Sequence, residues 1–295
     1  DEEIADLMLL NVGPSHPASH GTIRNFVALE GETIAACVTE IGYLHRGFEK
    51  ACEHHTYSQV IPYTDRLNYC SAILNNIGWA KAIEDMMKIE ITPRAKMIRV
   101  VIGELSRIID HFVCNAANMV DLGGLTSLWY LFGARDQAYD LLSKLTGARL
   151  TNTYTRIGGL EFDLYDGFDK DLEEVLKTSE KAIEDVLSLI AHNKLFHDRT
   201  QDVGVIKPDF ALANGISGPN LRAAGVAHDL RKDKPYYGYE NFDFDVVIGS
   251  HGDVYDRMMC RFEESIQSIK IIRQAMKNMP DGAINVYAPN LVLPN

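Results

Sequence analysis

The stretch that organises the chain is residues 44–71, LHRGFEKACEHHTYSQVIPYTDRLNYCS. Near its start, Arg46, Glu49 and Lys50 surround a glycine, and this concentration of charge does not suit the start of a plain amphipathic helix. Near its end, Arg66 and Tyr69 form a second basic and aromatic cluster, where a long segment of apolar periodicity begins. We therefore predict two helix starts that meet at a polar site. The alternative is a pair of capped helix ends that face solvent.

On the N-terminal side of this stretch, the chain has the composition of β-strands. Gly31-Glu32 fits a tight hairpin turn between two of them. Residues 13–21 contain two prolines and two glycines, which predict a stiff loop that carries His16 and His20. A rigid loop with polar side chains can form part of a functional site, although turn chemistry alone also accounts for its composition. Three segments rich in Val, Ile, Thr and Phe are the predicted strands: residues 7–12, 23–30 and 33–40.

On the C-terminal side, apolar residues recur with a helical period. Asp65 can cap the first helix, Thr92-Pro93 can start the second, and Thr126 can cap the third. Residues 202–252 are rich in glycine, proline and aromatic residues, which predicts mostly loop and short strand. The predicted helices cover residues 65–88, 93–121, 127–146, 169–192 and 253–279.

The second of these helices is apolar nearly all round, which predicts a central, buried position. Charged groups in such a helix need partners when they are buried. Four such residues lie on it: Glu104, Arg107, Asp110 and His111.

These elements predict an α+β fold, with a small N-terminal antiparallel β-sheet followed by a bundle of long helices. We expect three regions. Residues 1–45 form the sheet with its histidine-bearing loop, residues 46–200 form the central helical bundle, and residues 201–295 combine a loop and strand region with a long helix.

Composition excludes several classes of function. The formal charge is 29 − 41 = −12, and no basic stripe offsets it, so we expect no nucleic-acid partner. No apolar run approaches the roughly 20 residues of a membrane helix. The five cysteines form no C-x-x-C pair, which argues against a zinc or iron–sulfur site and favours a reducing compartment. Two looser pairs, Cys52 with His54 and His111 with Cys114, lack further ligands nearby in the sequence.

Characteristic strings occur in order along the whole chain. Beside His-Arg-Gly-Phe-Glu-Lys at residues 45–50, they include Asn11-Val12-Gly13-Pro14, His16-Pro17, His20-Gly21, Pro93-Arg94-Ala95, Asp121-Leu122-Gly123, Gly158-Gly159, Leu221-Arg222-Ala223, Pro235-Tyr236 and Gly252-Asp253-Val254-Tyr255-Asp256-Arg257. Together these strings resemble the D-type subunit of the NADH:quinone oxidoreductases, respiratory complex I. That family is related to the large subunit of the nickel-iron hydrogenases.

The resemblance implies a hydrogenase large-subunit-like fold. It also implies a core subunit of a proton-translocating NADH:quinone oxidoreductase, an enzyme that is active only as the assembled complex. This core subunit forms the quinone-reduction chamber with a small iron–sulfur partner of B type, whose [4Fe–4S] cluster lies at the shared interface. Other implied partners are a C-type subunit and the membrane-arm subunits. NAD binds in a distant subunit, and this chain itself holds no cofactor. The implied location is the cytoplasmic face of the bacterial inner membrane, peripherally bound, or the matrix side in a mitochondrion.

Quinone reduction takes two electrons and two protons, so each carbonyl of the head group needs a donor that can give up a proton. The resemblance assigns these roles to Tyr69 and His20, with Asp121 holding His20 in one tautomer. The alternative is that His20 fastens its loop, Tyr69 packs in a helix seam and Asp121 caps a turn.

The resemblance places two arginines near the partner's cluster or the quinone chamber. They are Arg66 and Arg46, and a fixed positive charge there tunes the potential of an anionic cluster. The alternative for Arg66 is an ordinary salt bridge with Asp65 or Glu49.

The first rival function is a catalytic nickel-iron hydrogenase large subunit. In that family an Arg-x-Cys-Gly-x-Cys motif holds the metals, and here Arg66 matches the arginine while Asn68 and Ser71 occupy the two cysteine positions. Cys70 lies between them, one place from a ligand position. The second rival is a scaffold subunit without a redox role, which the joint presence of His20, Tyr69 and Asp121 disfavours.

The sequence departs from the family pattern at three positions. Ala51 and His55 differ from the usual residues, and Thr151 stands where many members carry a histidine that takes up a proton when the cluster is reduced. We therefore expect a lower-potential cluster whose potential changes little with pH. Because family members continue well past residue 295, we also expect this chain to lack their C-terminal portion.

Overall fold

The computed structural model describes residues 7–286, which form two compact units. The first unit ends at His54 and the second begins at His55. The three regions expected from the sequence remain a prediction about domain organisation. Their outer ends, residues 1–6 and 287–295, lie outside the described residues.

The first unit contains the three predicted strands, which are confirmed. They form an antiparallel sheet in the order β1-β2-β3, in which Asn11 pairs with Phe26 and Phe26 with Val38. Gly31 has φ +64° in the β2–β3 turn, a backbone conformation that favours glycine. The strand bounds are β1 Met8–Val12, β2 Arg24–Glu30 and β3 Thr33–Glu40.

The remainder of the first unit consists of loops and two short helical turns. The predicted stiff loop contains a 3-10 turn, Pro17–Ser19, in which the His16 ring nitrogen accepts a hydrogen bond from the Ala18 amide at 3.2 Å. The short helix α1, Phe48–Cys52, follows Gly47. One of the two predicted helix starts therefore lies at Phe48.

The second unit is a helical bundle with one small hairpin. Its two short strands are β4 Thr155–Arg156 and β5 Gly159–Leu160. Its helices are α2 Tyr57–Thr64, α3 Ala72–Met87, α4 Pro93–Asp121, α5 Leu125–Thr146, α6 Phe168–Ile190, α7 Lys194–Thr200, α8 Pro208–Ala213, α9 Gly218–Ala223, α10 Leu230–Asp233 and α11 Val254–Lys277.

Helix α4 is the centre of the bundle, as the sequence predicts. The Thr92 hydroxyl caps it by accepting from the Ala95 amide at 3.2 Å, and Pro93 occupies its first turn. Helices α3, α5 and α11 all pack against it. Most of its apolar residues between Ala95 and Met119 are buried, and they belong to one continuous core whose members run from Ile73 to Ala275.

The predicted start of α3 at Asp65 is wrong. A separate helix, α2, comes first, with a capping box between Thr56 and Gln59, and Asp65 follows its last residue. A 3-10 turn, Tyr69–Ser71, then precedes α3. Aspartate is a common capping residue, but the Asp65 carboxylate is buried and accepts hydrogen bonds from the side chains of Asn76 and Thr153 instead of from a helix N-terminus.

The predicted cap of α5 at Thr126 is also wrong. The Gly124 amide donates to the Met119 carbonyl at 2.7 Å, which closes α4, and Gly124 itself precedes the first residue of α5. Gly123, with φ +90°, redirects the chain so that Leu125 is already helical.

Residues 202–252 were predicted as loop and short strand, and the strand part is wrong for this described segment. It contains the short helices α8, α9 and α10 and a 3-10 turn, Tyr239–Asn241. Each is six residues or fewer, too short to show an apolar period. Helix α7, which the sequence prediction missed, is also short, and Asn193 caps it by accepting from Phe196.

A buried ion pair fixes the β4–β5 hairpin to α3 and α4. Arg99 binds both carboxylate oxygens of Glu84 at 2.7 Å and donates to the carbonyls of Arg156 and Gly159 at 2.8 and 2.9 Å. A Cβ on Gly159 would lie 2.2 Å from the carbonyl oxygen of Ile284, so this close approach requires glycine.

Within residues 7–286, no helix is both long and apolar enough to cross a membrane.

Candidate functional site

Tyr69 lies on the short connection between α2 and α3. It is the first residue of the 3-10 turn, and its side chain is 56% exposed. The turn is closed by one backbone hydrogen bond, from the Ser71 amide to the Asn68 carbonyl at 3.1 Å. An exposed phenol can donate a hydrogen bond to a bound molecule. The direction in which the Tyr69 phenol points depends on the contacts that hold the turn in place.

The N-terminal end of this connection is held by Asp65, whose side chain is fully buried. Its carboxylate accepts from the Asn76 amide at 2.6 Å and from the Thr153 hydroxyl. The Arg66 guanidinium lies 3.5 Å from the same carboxylate. Asp65 therefore joins α3, the loop before β4 and the connection that carries Tyr69, and each donor offsets part of the cost of burying its charge.

Arg66 is half exposed and fixed at its guanidinium. Besides Asp65, it donates to the Pro62 carbonyl, in the last turn of α2, at 2.6 Å. A cation at the C-terminal end of a helix interacts favourably with the helix dipole. The salt bridge with Asp65 that the sequence offered as an alternative is therefore present, and the rest of the guanidinium remains accessible.

The middle of the connection is held by Asn68, the residue just before Tyr69. Its amide donates to the Ser71 hydroxyl at 2.7 Å and to the Asp110 carboxylate of α4 at 3.2 Å. Asn75 in turn donates to the Asn68 carbonyl at 3.0 Å. Asn68 and Ser71, the two positions that match hydrogenase cysteines, are thus joined by a hydrogen bond between their side chains.

Cys70 lies between these two residues as a protonated thiol. Burial, reinforced by the negative charge of Asp110, raises the pKa of Cys70 to about 11. The thiolate is the form that binds metals, so Cys70 at neutral pH is not prepared to be a ligand. Within residues 7–286, no group of three or more His, Cys, Asp or Glu residues is arranged to hold a metal ion. The expectation of no metal in this chain stays a prediction.

Asp121 is the last residue of α4. It is one of the residues that line a cavity of about 340 Å³ between α4, α9 and α11. Arg257 and Arg261 line the same cavity, and their guanidinium groups donate to backbone carbonyls of Gly252 and Arg257 at 2.6 and 2.7 Å. The Asp121 carboxylate thus faces a polar, cationic cavity at the end of the central helix.

His20 and Arg46 belong to the first unit. His20 follows the Pro17–Ser19 turn with φ +41°, and Arg46 is an exposed residue just before α1. Tyr69, Arg66 and Asp121 belong to the second unit. The structure therefore brings Tyr69 and Arg66 together on one connection, whereas the convergence of all five residues at one site stays a prediction.

The sequence prediction missed a buried charge network that joins α4 to the C-terminal helices. Glu104 accepts from Arg231 at 3.0 Å, from Ser268 at 2.6 Å and from Tyr239 at 2.6 Å. Burial alone would raise the pKa of Glu104, but the charges of Arg107 and Arg231 outweigh it and lower that pKa. The sequence did show that charged residues lie on a helix that is otherwise nearly all apolar, which indicated that they need buried partners. The partners themselves were not predictable, since they lie more than a hundred residues away.

A second part of this network contains His111. Its Nε2 lies 2.9 Å from Glu264, and Arg222 donates to the other oxygen of Glu264 at 2.6 Å. Burial lowers the pKa of His111, so the ring is neutral at neutral pH. Burial works against ionisation of Glu264, but hydrogen bonds from His111 and Arg222 lower its pKa to about 2. The sequence spacing of His111 and Cys114 would suit a metal chelate, but in the structure the His111 ring contacts the Glu264 carboxylate.

Comparisons with known proteins agree with the resemblance seen in the sequence. A model of the family described as "Respiratory-chain NADH dehydrogenase, 49 Kd subunit" matches residues 121–295. The chain is 50% identical to the fused C/D subunit of the NADH-quinone oxidoreductase of Bdellovibrio bacteriovorus, over 97% of this chain and 51% of that protein. It is 46% identical to the D subunits of the NADH-quinone oxidoreductases of Pelobacter propionicus and Myxococcus xanthus, over 97% of this chain and 71% and 69% of theirs.

The chain thus spans about half of the C/D relative and about 70% of the two D relatives. The resemblance stated from the sequence strings is confirmed, because the family model is that of a respiratory-chain NADH dehydrogenase subunit and these relatives are named as C/D or D subunits of NADH-quinone oxidoreductases. With nearly half of its residues identical to such proteins over almost its whole length, the chain belongs to the family of the 49-kDa subunit of the respiratory-chain NADH dehydrogenase, which is the D subunit of the NADH-quinone oxidoreductases.

Proposed function

We propose that this chain works as the D subunit of a proton-translocating NADH:quinone oxidoreductase and forms the quinone-reduction chamber with an iron–sulfur subunit. The observation that carries the proposal is the exposed phenol of Tyr69, which lies three residues after the half-exposed, fixed guanidinium of Arg66 on the connection between α2 and α3. The names of the relatives support the overall reaction. The chain acts only within the assembled complex.

Reduction of a quinone to a quinol adds two electrons and two protons. Tyr69 donates a hydrogen bond to one carbonyl oxygen of the head group and His20 donates to the other, and each gives up its proton as the oxygen gains charge. Asp121 accepts from the second ring nitrogen of His20, which fixes the tautomer and stabilises the charged ring. Protons lost from Tyr69 and His20 are restored from solvent through the complex.

The electrons come from a [4Fe–4S] cluster of a B-type partner, while this chain holds no cofactor and NAD binds in a distant subunit. Arg66 and Arg46 face the cluster or the chamber. The guanidinium of Arg66 is suited to this role, because Asp65 and the Pro62 carbonyl fix it while it stays half exposed. A fixed positive charge near an anionic cluster raises its reduction potential.

Further parts of the proposal concern architecture and partners. The bundle with its small sheet fits a hydrogenase large-subunit-like fold, and the predicted regions 1–45, 46–200 and 201–295 describe its organisation. A C-type subunit is a partner, which the name of the C/D relative supports. The complex also includes membrane-arm subunits, so this chain lies peripherally at the cytoplasmic face of a bacterial inner membrane, or on the matrix side in a mitochondrion.

The test of the proposal is the variant Tyr69→Phe in the full-length protein of the assembled complex. Quinone reduction is expected to fall by about 10²–10³-fold, the typical effect of removing one catalytic donor. Electron transfer to an artificial acceptor upstream of the chamber is expected to survive. Tyr130→Phe, at another exposed tyrosine, on α5, is the matched control and is expected to be neutral. Near-normal quinone turnover in Tyr69→Phe would remove Tyr69 from the mechanism.

The hydrogenase alternative is tested by elemental analysis of the purified protein. We expect no stoichiometric nickel, because Asn68 and Ser71 bond to each other and Cys70 is a protonated thiol. About one nickel ion per chain would revive that alternative.

A further inference from the structure

A polar contact between α4 and the turn of Tyr69 has no part in the chemistry proposed above. Asp110, in the middle of α4, accepts from the Asn68 amide at 3.2 Å, and the same amide lies 2.7 Å from the Ser71 hydroxyl. Asn68 and Ser71 lie on either side of the exposed Tyr69 and the partly buried Cys70. The contact therefore connects the rigid centre of the bundle to the two ends of a three-residue turn.

We propose that Asp110 is a positioning residue that sets the direction of the Tyr69 phenol through Asn68. This inference rests on the proposed function of Tyr69. It goes beyond that function because it assigns a role to a carboxylate on another helix, which reaches the turn through the Asn68 side chain.

The geometry of the turn explains why an outside anchor is needed. A three-residue 3-10 turn has few backbone hydrogen bonds of its own, here including the one from the Ser71 amide to the Asn68 carbonyl, and their geometry is poorer than in an α-helix. Because the Tyr69 side chain is mostly exposed, packing does little to fix it. The Asn68 amide is a donor shared between the turn and α4, so it transmits the fixed position of α4 to the residue just before Tyr69.

Asp110 is suited to be the anchor because it lies on the most buried helix of the bundle. The helix is held on both sides of it by the networks of Glu104 and His111. A carboxylate also makes a stronger acceptor than a neutral group. The negative charge of Asp110 also interacts with the turn, since it contributes to the raised pKa of Cys70.

The experiment uses reciprocal variants in the full-length protein of the assembled complex. Asp110→Leu removes the acceptor while it keeps the branched shape and the number of side-chain heavy atoms, and Asp110→Asn keeps a neutral acceptor for the Asn68 amide. Asn68→Asp places two carboxylates against each other. The double variant Asn68→Asp with Asp110→Asn restores the hydrogen bond with donor and acceptor exchanged, and the Ser71 hydroxyl can rotate to donate to the new carboxylate.

We expect Asp110→Leu and Asn68→Asp to lower kcat for quinone about 10- to 100-fold, the usual range for loss of an orienting partner. KM should change less, because Tyr69 acts chiefly as the quinone oxygen gains charge. Asp110→Asn should stay within about threefold of wild type, since a neutral hydrogen bond replaces a charge-assisted one. The double variant should recover most of the loss of Asn68→Asp. Electron transfer to the artificial acceptor reports on assembly and should be unchanged throughout.

Asp140→Leu is the matched control, because it removes an exposed aspartate on α5 without touching the turn. The inference is overturned when Asn68→Asp keeps wild-type kcat, or when the double variant is no better than Asn68→Asp alone. If Asp110→Leu prevents assembly, the comparison of Asn68→Asp with the double variant still tests the positioning role. A severe loss in Tyr69→Phe combined with neutral Asn68 and Asp110 variants would reject the positioning role and leave the proposed function standing.

Discussion

Thr151 has a backbone conformation that threonine rarely adopts. Its φ is +52°, and Thr153, two residues later, has φ +44°. β-Branched residues are strained in this left-handed region, whereas histidine and asparagine enter it more readily. The Thr151 hydroxyl donates to the Leu150 carbonyl at 2.7 Å, and the Thr153 hydroxyl binds Asp65, so hydrogen bonds hold the loop in place. The backbone at residue 151 is therefore suited to a histidine, the residue that the family resemblance leads us to expect there.

The first prediction concerns the proton coupling of the [4Fe–4S] cluster in the proposed B-type partner. A threonine hydroxyl does not titrate between about pH 6 and 8, the range through which a histidine titrates. We expect the cluster potential of the assembled complex to be nearly independent of pH in this range, and to become pH-dependent in Thr151→His. Redox titration followed by electron paramagnetic resonance at several pH values measures the slope.

The control for this prediction removes other histidines. His228 lies 2.6 Å from Asp233, and His192 follows the end of α6. Either could supply the same coupling, so His192→Gln and His228→Gln are measured in parallel. A wild-type slope near one proton per electron contradicts the prediction.

At the scale of elements, the contact between α4 and α11 combines apolar packing with buried charge. Glu104 joins α4 to α10, to the Tyr239 turn and to Ser268 of α11. Arg222 and His111 meet at Glu264 of α11. A buried pair adds little net stability relative to an apolar pair, but the loss of one member leaves an uncompensated charge. These groups therefore fix which faces of the helices meet.

The second prediction follows for Glu104. Glu104→Ala leaves Arg231 and Arg107 without their shared carboxylate, and we expect the free energy of unfolding to fall by about 3–5 kcal/mol. Equilibrium urea unfolding of the isolated chain measures the change. Asp85→Ala, which breaks the surface pair of Lys81 and Asp85, is the control and is expected to cost at most about 1 kcal/mol. A loss below about 1 kcal/mol for Glu104→Ala contradicts the assigned role.

The third prediction concerns pH. Burial holds the pKa of His111 below its unfolded value of about 6.5, so the unfolded chain binds this proton first as the pH falls. Stability is therefore lost as the pH falls below about 6.5. Glu264 contributes separately, because its folded pKa of about 2 lies below its ordinary value of 4.5, and its contribution is lost only below that value.

The variant His111→Gln isolates the histidine, since its side-chain amide can still donate to Glu264. We expect its free energy of unfolding to fall less than that of wild type between pH 7 and 5.5. The charged groups that influence His111 are Glu264, Arg107 and Arg261, and none of them titrates in this window according to the ordinary values of their types. Identical pH dependence in the two proteins would show that His111 is not the group responsible.

The outcome of the sequence predictions depends on whether the signal is local. Thr92-Pro93 predicted the start of α4 because both its cap and its proline act within one turn. Asp65 looked equally suited to cap a helix, but its partners Asn76 and Thr153 lie 11 and 88 residues away, beyond the reach of a capping pattern. At the candidate site, Tyr69 and Arg66 stood out as a basic and aromatic cluster and the family resemblance supplied their roles, whereas the anchoring role of Asp110 needed the folded positions of α4 and the turn.

At the scale of the whole molecule, the two units differ in how they are stabilised. Both hydrophobic clusters of the described chain consist of residues from Ile73 onward, in the second unit. Among residues 7–54, no residue is buried, and Leu9 and Ile34 on the sheet are 75% and 63% exposed. The first unit nevertheless carries His20 and Arg46, which the proposed function requires.

The fourth prediction is that a chain beginning at residue 55 keeps its helical bundle without the first unit. Because the core clusters lie wholly in the second unit, we expect a cooperative thermal transition, followed by circular dichroism, with a midpoint within about 3 °C of that of the undivided chain. The peptide 7–54 alone should show no folded sheet, since a three-stranded sheet needs a buried apolar face to be stable. Complexes assembled with the shortened chain should lose quinone reduction, because His20 is absent. Loss of the cooperative transition from the shortened chain would show instead that the bundle depends on the first unit for its stability, and quinone reduction that persists without residues 1–54 would exclude His20 from the reaction.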